Sequence, residues 1–281
     1  MTSAVFDERV CELGEGPLWH PTRQQLFWFD ILGRRLLTRK GDEAQEWVFD
    51  EYVSAAGWVD DNTLMMASES GLYRLNLING ARKKLADIEA DNPVTRSNDG
   101  RADPQGGFWI GTMGIDGEPQ AGAIYRYYKG EVRKLFGDIT VSNSICFAPS
   151  GDLAYFCDTR ANKIMKVALD SLGWPVGTPD VFIDVSAEGL NADGSVVDAE
   201  GNLWNAQWGV NRVACYAPDG TFLRAVSFAG EQTSCPAFGG ADLRSLFVTT
   251  AAVGLDGPNE GKTYVCEMSD VKGQAEHQVI L

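Results

Sequence analysis

A short apolar segment, a polar turn and a second apolar strand recur in this order along the whole chain of 281 residues. The copies begin at residues 16, 57, 100, 144, 194 and 238, so successive copies are 41, 43, 44, 50 and 44 residues apart. No window has a long helical period, so each copy predicts a four-stranded sheet. Six sheets at this spacing predict an all-β fold, a six-bladed β-propeller whose four-stranded blades surround a central channel.

Both ends of the chain have the composition of strands. Residues 4–6 read Ala-Val-Phe and residues 278–281 read Gln-Val-Ile-Leu. In a closed ring of blades, we expect a strand from one end to complete a blade that the other end begins. No linker or change of composition divides the sequence, so we expect a single domain over residues 1–281.

The charge balance excludes several classes of partner. The chain has 24 Lys and Arg against 39 Asp and Glu, a formal net charge of -15, which repels phosphate backbones and anionic membranes. The first residues lack the basic and apolar regions of a signal peptide, and no segment approaches 18 uninterrupted apolar residues. We therefore expect a cytoplasmic protein with no nucleic-acid or membrane partner. The six cysteines lack metal-ligand spacing and are expected to be reduced and buried.

Four of the six residues that directly precede the repeat starts are polar. In chain order the six are Glu15, Ala56, Asp99, Asn143, Asp193 and Ala237. Because the innermost strands of a propeller begin at one mouth of the channel, these positions converge although they are far apart in sequence. Carboxylate and amide oxygens are hard ligands, which favours a divalent cation completed by water. The alternative is that these residues cap turns, as Asp and Asn often do.

Four linked motifs resemble the SMP-30/gluconolactonase/regucalcin (LRE-like) family. They are G-E-G-P-L-W at residues 14–19, R-S-N-D-G at 96–100 with F-W-I-G-T-M at 108–113, the Ser142-Asn143 pair, and Asp193-Gly194 with D-A-E-G-N-L-W at 198–204. They occur in the correct order over nearly the full chain. The resemblance implies a six-bladed propeller that binds one divalent cation in its channel and hydrolyses sugar lactones.

The resemblance also implies roles for individual residues. It implies one divalent cation (Ca²⁺, Zn²⁺, Mn²⁺, Mg²⁺ or Fe²⁺) held by Glu15, Asn143 and Asp193. The bound cation would act as a Lewis acid on the lactone carbonyl. Asp193 would also be the general base that takes a proton from the attacking water. Ser144 and Ala192 depart from the family pattern, which usually has Gly and Pro at these positions.

Three substrate contacts follow from the same resemblance: Arg96, Asn98 and Asp116. Asp116 is the acidic residue three positions after the G-T-M motif, and Glu118 is the alternative because the loop varies in length. Arg96 and Asn98 would orient hydroxyls or the carbonyl of the sugar.

The leading functional hypothesis is therefore a metal-dependent lactonase that converts a sugar lactone, such as a glucono-, galactono- or arabinono-lactone, to the aldonic acid. A calcium-binding regulatory protein of the regucalcin type is the alternative from a different class. A promiscuous metal-dependent esterase or phosphotriesterase is a further alternative, since one Lewis acid serves several acyl or phosphoryl centres. A bare calcium site has no need of Arg96, Asn98 and an acidic loop residue beside the ligands, which favours the lactonase.

Overall fold

The computed structural model describes residues 3–281, in which 24 β-strands form six four-stranded antiparallel sheets. The prediction of a six-bladed β-propeller is confirmed. One short 3-10 helix, Ser186–Glu188, is the only helix in the described part of the chain. No helix within residues 3–281 has the length and apolar character that crossing a bilayer requires.

The first five blades each take four consecutive strands. Blade 1 comprises β2 (Gly14–His20), β3 (Gln25–Asp30), β4 (Arg35–Lys40) and β5 (Glu43–Val48). Blade 2 comprises β6 (Val53–Asp60), β7 (Thr63–Ser68), β8 (Gly71–Asn76) and β9 (Arg82–Asp87). Blade 3 comprises β10 (Thr95–Ala102), β11 (Phe108–Gly114), β12 (Gly122–Tyr128) and β13 (Glu131–Ile139).

The chain continues around the ring in the same way. Blade 4 comprises β14 (Ser142–Phe147), β15 (Leu153–Asp158), β16 (Lys163–Leu169) and β17 (Pro175–Asp184). Blade 5 comprises β18 (Asn191–Val197), β19 (Leu203–Trp208), β20 (Arg212–Tyr216) and β21 (Phe222–Ser227). Blade 6 comprises β22 (Gln232–Gly239), β23 (Ser245–Ala251), β24 (Thr263–Glu267) and the N-terminal strand β1 (Ser3–Asp7).

The N-terminal strand closes the ring. β1 pairs antiparallel with β24, with Ala4 opposite Val265, so the expected completion of a blade by the opposite end of the chain is confirmed. The C-terminal residues do not form a strand. They cross one end of the channel instead: the backbone N–H of Val279 donates to the Trp58 carbonyl at 2.9 Å, and that of Ile280 donates to the Gly106 carbonyl at 2.8 Å.

The core lies between the blades rather than at the centre of the molecule. Six apolar clusters occur in the described chain, and each combines residues of two neighbouring blades. The second strands contribute Trp28, Trp109 and Trp204, all fully buried. Trp109 meets Phe147 of the next blade edge to face at 5.5 Å between ring centroids, a geometry worth about 1 kcal/mol beyond burial. The three tryptophans are therefore core residues, and all six cysteines are free and buried.

The six innermost strands form the wall of the channel, because each contacts the innermost strand of both neighbouring blades. Every one of them has an irregularity in its pairing with the second strand. The irregularities fall at Glu15/Leu18, Val53/Ala55, Ser97/Gly100, Asn143/Cys146, Ala192/Ser195 and Thr233/Cys235. Such bulges bend a strand and redirect its side chains, so the repeat places redirected side chains at the same level of the channel.

A buried ion pair attaches the C-terminal segment to the channel wall. The guanidinium of Arg101, in β10, pairs with the carboxylate of Glu276, and their side chains are only 10% and 7% exposed. The Gln274 side chain also donates to the Phe147 and Val197 carbonyls at 3.0 and 2.9 Å. Because Phe147 and Val197 are the last residues of their innermost strands, the segment covers the end of the channel opposite to the repeat starts.

Replacing Glu276 by Gln is expected to destabilise the protein by about 3 kcal/mol, because the Arg101 charge stays buried without its partner. The free energy of unfolding in urea measures this loss. Glu131→Gln is the matched control: it breaks an ion pair with Arg133 whose two side chains are each 53% exposed, so water screens the charges and the loss should be much smaller. Equal losses of unfolding free energy in the two variants would contradict the prediction that the buried ion pair stabilises the protein more than the exposed one.

Candidate active site

A cavity of about 330 Å³ opens at the mouth of the channel where the innermost strands begin. Five of the six residues that the sequence assigned to the site line it: Glu15, Arg96, Asn98, Asn143 and Asp193. The sixth, Asp116, is not among the lining residues. Of the four polar residues before the repeat starts, three (Glu15, Asn143 and Asp193) therefore meet at this mouth, whereas Asp99 does not line the cavity.

Backbone geometry at the bulges directs the ligand-type side chains inward. Gly16, directly after Glu15, has a φ of +53°, and a Cβ there would lie 2.3 Å from the Ser54 carbonyl oxygen. Only glycine fits this position without a shift of the neighbouring strand. Ser144, directly after Asn143, has a φ of +58° although it is not glycine. Its hydroxyl donates to the Asp193 carbonyl at 2.5 Å, which ties two ligand-bearing strands together.

The three predicted ligands are buried, with exposed fractions of 6% for Glu15, 3% for Asn143 and 5% for Asp193. The Asn143 amide nitrogen donates to the Thr159 hydroxyl at 2.8 Å, and Thr159 in turn donates to the Ala192 carbonyl at 2.7 Å. This pairing fixes the amide so that its oxygen is the atom available to a cation. No carboxylate of Glu15 or Asp193 lies within 4.0 Å of a basic side chain in residues 3–281.

Burial raises the pKa of three carboxylates in this region, and neighbouring carboxylates add to the effect for Glu15 and Asp193. Burial, followed by the Asp99 charge, raises the pKa of Glu15. Burial, followed by the Glu15 and Asp99 charges, raises the pKa of Asp193 well above the usual range. Burial raises the pKa of Asp99 to about 6, although the backbone N–H of Ile145 donates to its carboxylate at 2.7 Å. Asp99 matches the other repeat starts in sequence, but it does not line the cavity.

The donor set fits a hard divalent cation. Buried carboxylates without an ion-pair partner are costly, and a cation between them would remove that cost. Two carboxylates and one amide oxygen are the ligand types that Ca²⁺, Mg²⁺ or Mn²⁺ prefer. No group of three or more His, Cys, Asp or Glu side chains with ligand geometry occurs within residues 3–281. The third protein ligand would therefore be the amide of Asn143.

Arg96 and Asn98 form one hydrogen-bonded unit with the ligand Asn143. Arg96 uses one guanidinium nitrogen, Nη1, to donate to the Ser97 carbonyl at 2.8 Å and to the Asn98 side-chain oxygen at 2.9 Å. Asn98 uses its own amide nitrogen to donate to the Ser142 carbonyl at 2.8 Å and to Asn143 Oδ1 at 3.2 Å. Both N–H groups of Asn98 are thus occupied, whereas Nε and Nη2 of Arg96 have no partner within residues 3–281.

Asp116 lies on the exposed loop after β11, outside the cavity lining. Glu118 is also absent from the lining, and its carboxylate accepts the backbone N–H of Asp116 at 3.1 Å. The sequence analysis missed four polar or aromatic lining residues: Thr159, Arg160, Asn191 and Trp208. Thr159, Arg160 and Trp208 stand at or just after the ends of second strands, which run back to the mouth where the first strands begin. A residue at that position of the repeat could therefore have been predicted to line the cavity.

Comparisons with known proteins identify the same family. The family profile described as SMP-30/Gluconolactonase/LRE-like region matches residues 13–252. An L-arabinolactonase from Azospirillum brasilense is 34% identical over 268 residues, covering 91% of this chain and 88% of that protein. A 6-deoxy-6-sulfogluconolactonase from Pseudomonas putida is 32% identical over 247 residues, covering 85% and 83%.

A solved structure is similar over the whole chain. The crystal structure of a calcium-binding protein, regucalcin, from Agrobacterium tumefaciens strain C58 superposes with a TM-score of 0.97. It is 40% identical and covers 100% of this chain and 98% of its own.

The raised pKa values predict how the stability of the metal-free protein depends on pH. In the folded state Glu15 and Asp193 keep protons at pH values where the unfolded chain has lost them, so the folded state binds more protons between about pH 4 and neutrality. Stability should therefore fall as pH rises through this range. Urea unfolding of chelator-treated protein at pH 5 and pH 8 measures the fall.

Glu15→Gln is the control variant for this experiment. Removing one of the two repelling carboxylates should reduce the fall in stability between pH 5 and pH 8 by at least about 1 kcal/mol. Added Ca²⁺ at pH 8 should stabilise the unmodified protein more than the variant. An identical pH dependence of both proteins would refute the electrostatic account.

Proposed function

Because this chain belongs to the SMP-30/gluconolactonase/LRE-like family, we propose that it is a divalent-metal-dependent lactonase that opens a sugar lactone to the aldonic acid. One observation carries the proposal. A single cavity unites two buried carboxylates that lack an ion-pair partner, an oriented amide oxygen and a buried guanidinium with free donors. This set can bind a cation and an oxygen-rich substrate next to each other.

Glu15, Asn143 and Asp193 would hold the cation. When bound, the cation supplies a Lewis acid for the lactone carbonyl, a contribution of several kcal/mol in comparable sites. Asn98 positions this set, since its amide holds both Asn143 Oδ1 and the Arg96 guanidinium. A direct contact of Asn98 with substrate would use its remaining oxygen lone pair, because both of its N–H groups are occupied.

Asp193 is proposed as the general base. No side chain within residues 3–281 donates a hydrogen bond to the Asp193 carboxylate, so an oxygen is available to a water molecule. A carboxylate beside the attacking water can accept its proton. Asp193 would take the proton of the attacking water and return it to the ring oxygen as the carbon–oxygen bond breaks.

Arg96 is proposed to orient the substrate through Nε and Nη2, which are the donors that the protein leaves free. The contact between substrate and Asp116, or Glu118, stays a prediction, because neither side chain lines the cavity. A cytoplasmic location, a single domain over residues 1–281 and a lack of nucleic-acid or membrane partners also stay predictions.

A calcium-binding role without catalysis is the second candidate. The observation that favours it is the similarity to the solved regucalcin, which is described as a calcium-binding protein. The cavity is more elaborate than such a role requires, because the Arg96 charge repels a cation and its Nε and Nη2 donors meet no acceptor within residues 3–281.

Hydrolysis of a panel of five- and six-membered sugar lactones tests the function. The chelated protein should be inactive, and restoring Ca²⁺, Mg²⁺, Mn²⁺, Zn²⁺ or Fe²⁺ one at a time should return turnover with at least one ion. A pH indicator detects the acid formed, and a heat-denatured sample corrects for spontaneous opening. Tight cation binding without turnover of any lactone would instead support the calcium-binding candidate.

Asp193→Asn tests the base. The amide retains an oxygen for the cation but cannot accept a proton, so kcat should fall by about 10²-fold or more. Isothermal titration with the active cation shows whether the site still binds it. Full turnover in an Asp193→Asn protein with the cation bound would exclude Asp193 as the base.

A further inference from the structure

Two of the four charged residues that line the cavity are arginines. The four are Glu15, Arg96, Arg160 and Asp193. The lining therefore has equal numbers of positive and negative side chains in a chain whose net charge is -15. With a divalent cation between the two carboxylates, the lining would have a net charge of +2. A cavity of that charge favours a negatively charged occupant.

Arg96 is a buried cation without an ion pair. Its exposed fraction is 5%, and no carboxylate within residues 3–281 lies within 4.0 Å of its guanidinium. Burial lowers its pKa to about 10, which shows that neighbouring groups compensate its charge incompletely. A buried guanidinium with unused donors is costly unless a ligand supplies the acceptor.

Arg160 brings a second guanidinium to the rim of the same cavity. It follows β15 directly, and its backbone N–H donates to Asp158 Oδ1 at 3.1 Å, which shapes the turn. Its side chain is exposed and has no hydrogen bond or ion pair within residues 3–281. Its Nη2 atom lies 4.0 Å from the position that a Cβ on Gly117 would occupy, so the guanidinium stands beside the loop that follows β11.

The charged residue that lines the cavity near this loop differs from the expected one. The family resemblance implied a carboxylate from Asp116 or Glu118. Asp116 is exposed and outside the lining, and Glu118 is turned back onto the backbone of its own loop. Arg160, which follows β15, is the charged side chain that lines the cavity beside this loop. A guanidinium binds an oxyanion through two parallel hydrogen bonds to two of its oxygens, a geometry that a neutral hydroxyl does not match.

We propose that Arg160, together with Arg96, selects a sugar lactone that carries an anionic oxygen group, a carboxylate or a sulfonate, on the part of its carbon chain remote from the lactone carbonyl. This inference rests on the proposed lactonase function. The carboxylates and Asn143 would act at the reacting carbonyl, and the two guanidinium groups that line the same cavity would bind the anion. Arg160 is a specificity-determining residue in this arrangement and has no part in bond breaking.

Two matched substrates test the inference. D-Glucono-1,4-lactone and D-glucaro-1,4-lactone have the same ring and differ at C6, which is a hydroxymethyl group in the first and a carboxylate in the second. With the active cation restored, kcat/KM should be about tenfold or more higher for the glucaro-lactone. Arg160→Gln should lower the ratio of the two kcat/KM values by about tenfold, mainly through KM, and Arg160→Glu should lower it further.

Arg74→Gln is the matched control, because Arg74 lies on the exposed face of β8 and is absent from the cavity lining. It changes the net charge by the same amount, so an unchanged ratio in this variant shows that the effect is local. Raising the salt concentration should reduce the ratio in the unmodified protein. Arg160 is exposed, and equal unfolding midpoints would show that its variants fold normally.

The outcomes separate this inference from the proposed function. Hydrolysis of the neutral lactone with equal or higher efficiency, and a ratio that Arg160→Gln leaves unchanged, would overturn the selection of an anion while leaving the lactonase intact. No hydrolysis of these two lactones or of any other lactone of the panel, with any cation, would overturn the lactonase itself. A 6-sulfonated gluconolactone distinguishes the two anions: a higher kcat/KM than for the glucaro-lactone supports the sulfonate, and a lower one supports the carboxylate.

Discussion

The repulsion between Glu15 and Asp193 is the interaction on which the rest of the site depends. Both carboxylates are buried, and neither has a basic partner within 4.0 Å in residues 3–281. Such an arrangement opposes folding unless other contacts offset it. The offset comes from the six apolar clusters between the blades, which hold the innermost strands at fixed positions around the channel. The surrounding fold thus holds the two carboxylates in place, and the proposed cation would reduce their repulsion.

Hydrogen bonds between blades fix the positions of the site residues relative to one another. One continuous network runs from Arg96 through Asn98, Asn143 and Thr159 to the Ala192 carbonyl, and so spans blades 3, 4 and 5. The opposite end of the channel is covered by the C-terminal segment, which the Arg101–Glu276 pair anchors. The two ends of the channel therefore differ. The C-terminal segment closes one end and stabilises the ring, whereas the other end is open and holds the residues of the proposed site.

Two kinds of structural element contribute residues to the proposed recognition of substrate. Glu15, Asn143 and Asp193 belong to bulged innermost strands, which the ring makes rigid, whereas Arg160 stands on a connection after a second strand. Connections of this kind change more readily than strands, so the same chemistry can be directed to different lactones. One relative is named as an L-arabinolactonase and another as a 6-deoxy-6-sulfogluconolactonase. These names therefore do not indicate whether the substrate of this chain is neutral or negatively charged.

The sequence by itself determined the number of blades and the residues that meet at the channel mouth, because a radial repeat brings equivalent positions together whatever their separation. It did not distinguish Asp99 from Asp193, which match in the repeat. Tertiary structure decides between them, since the Ile145 N–H binds Asp99 below the cavity. The same holds for the loop with Asp116 and for the direction of the Arg160 side chain, although the position of Arg160 after a second strand follows the repeat. Loop side chains follow no period, and their direction depends on contacts between blades that no local pattern encodes.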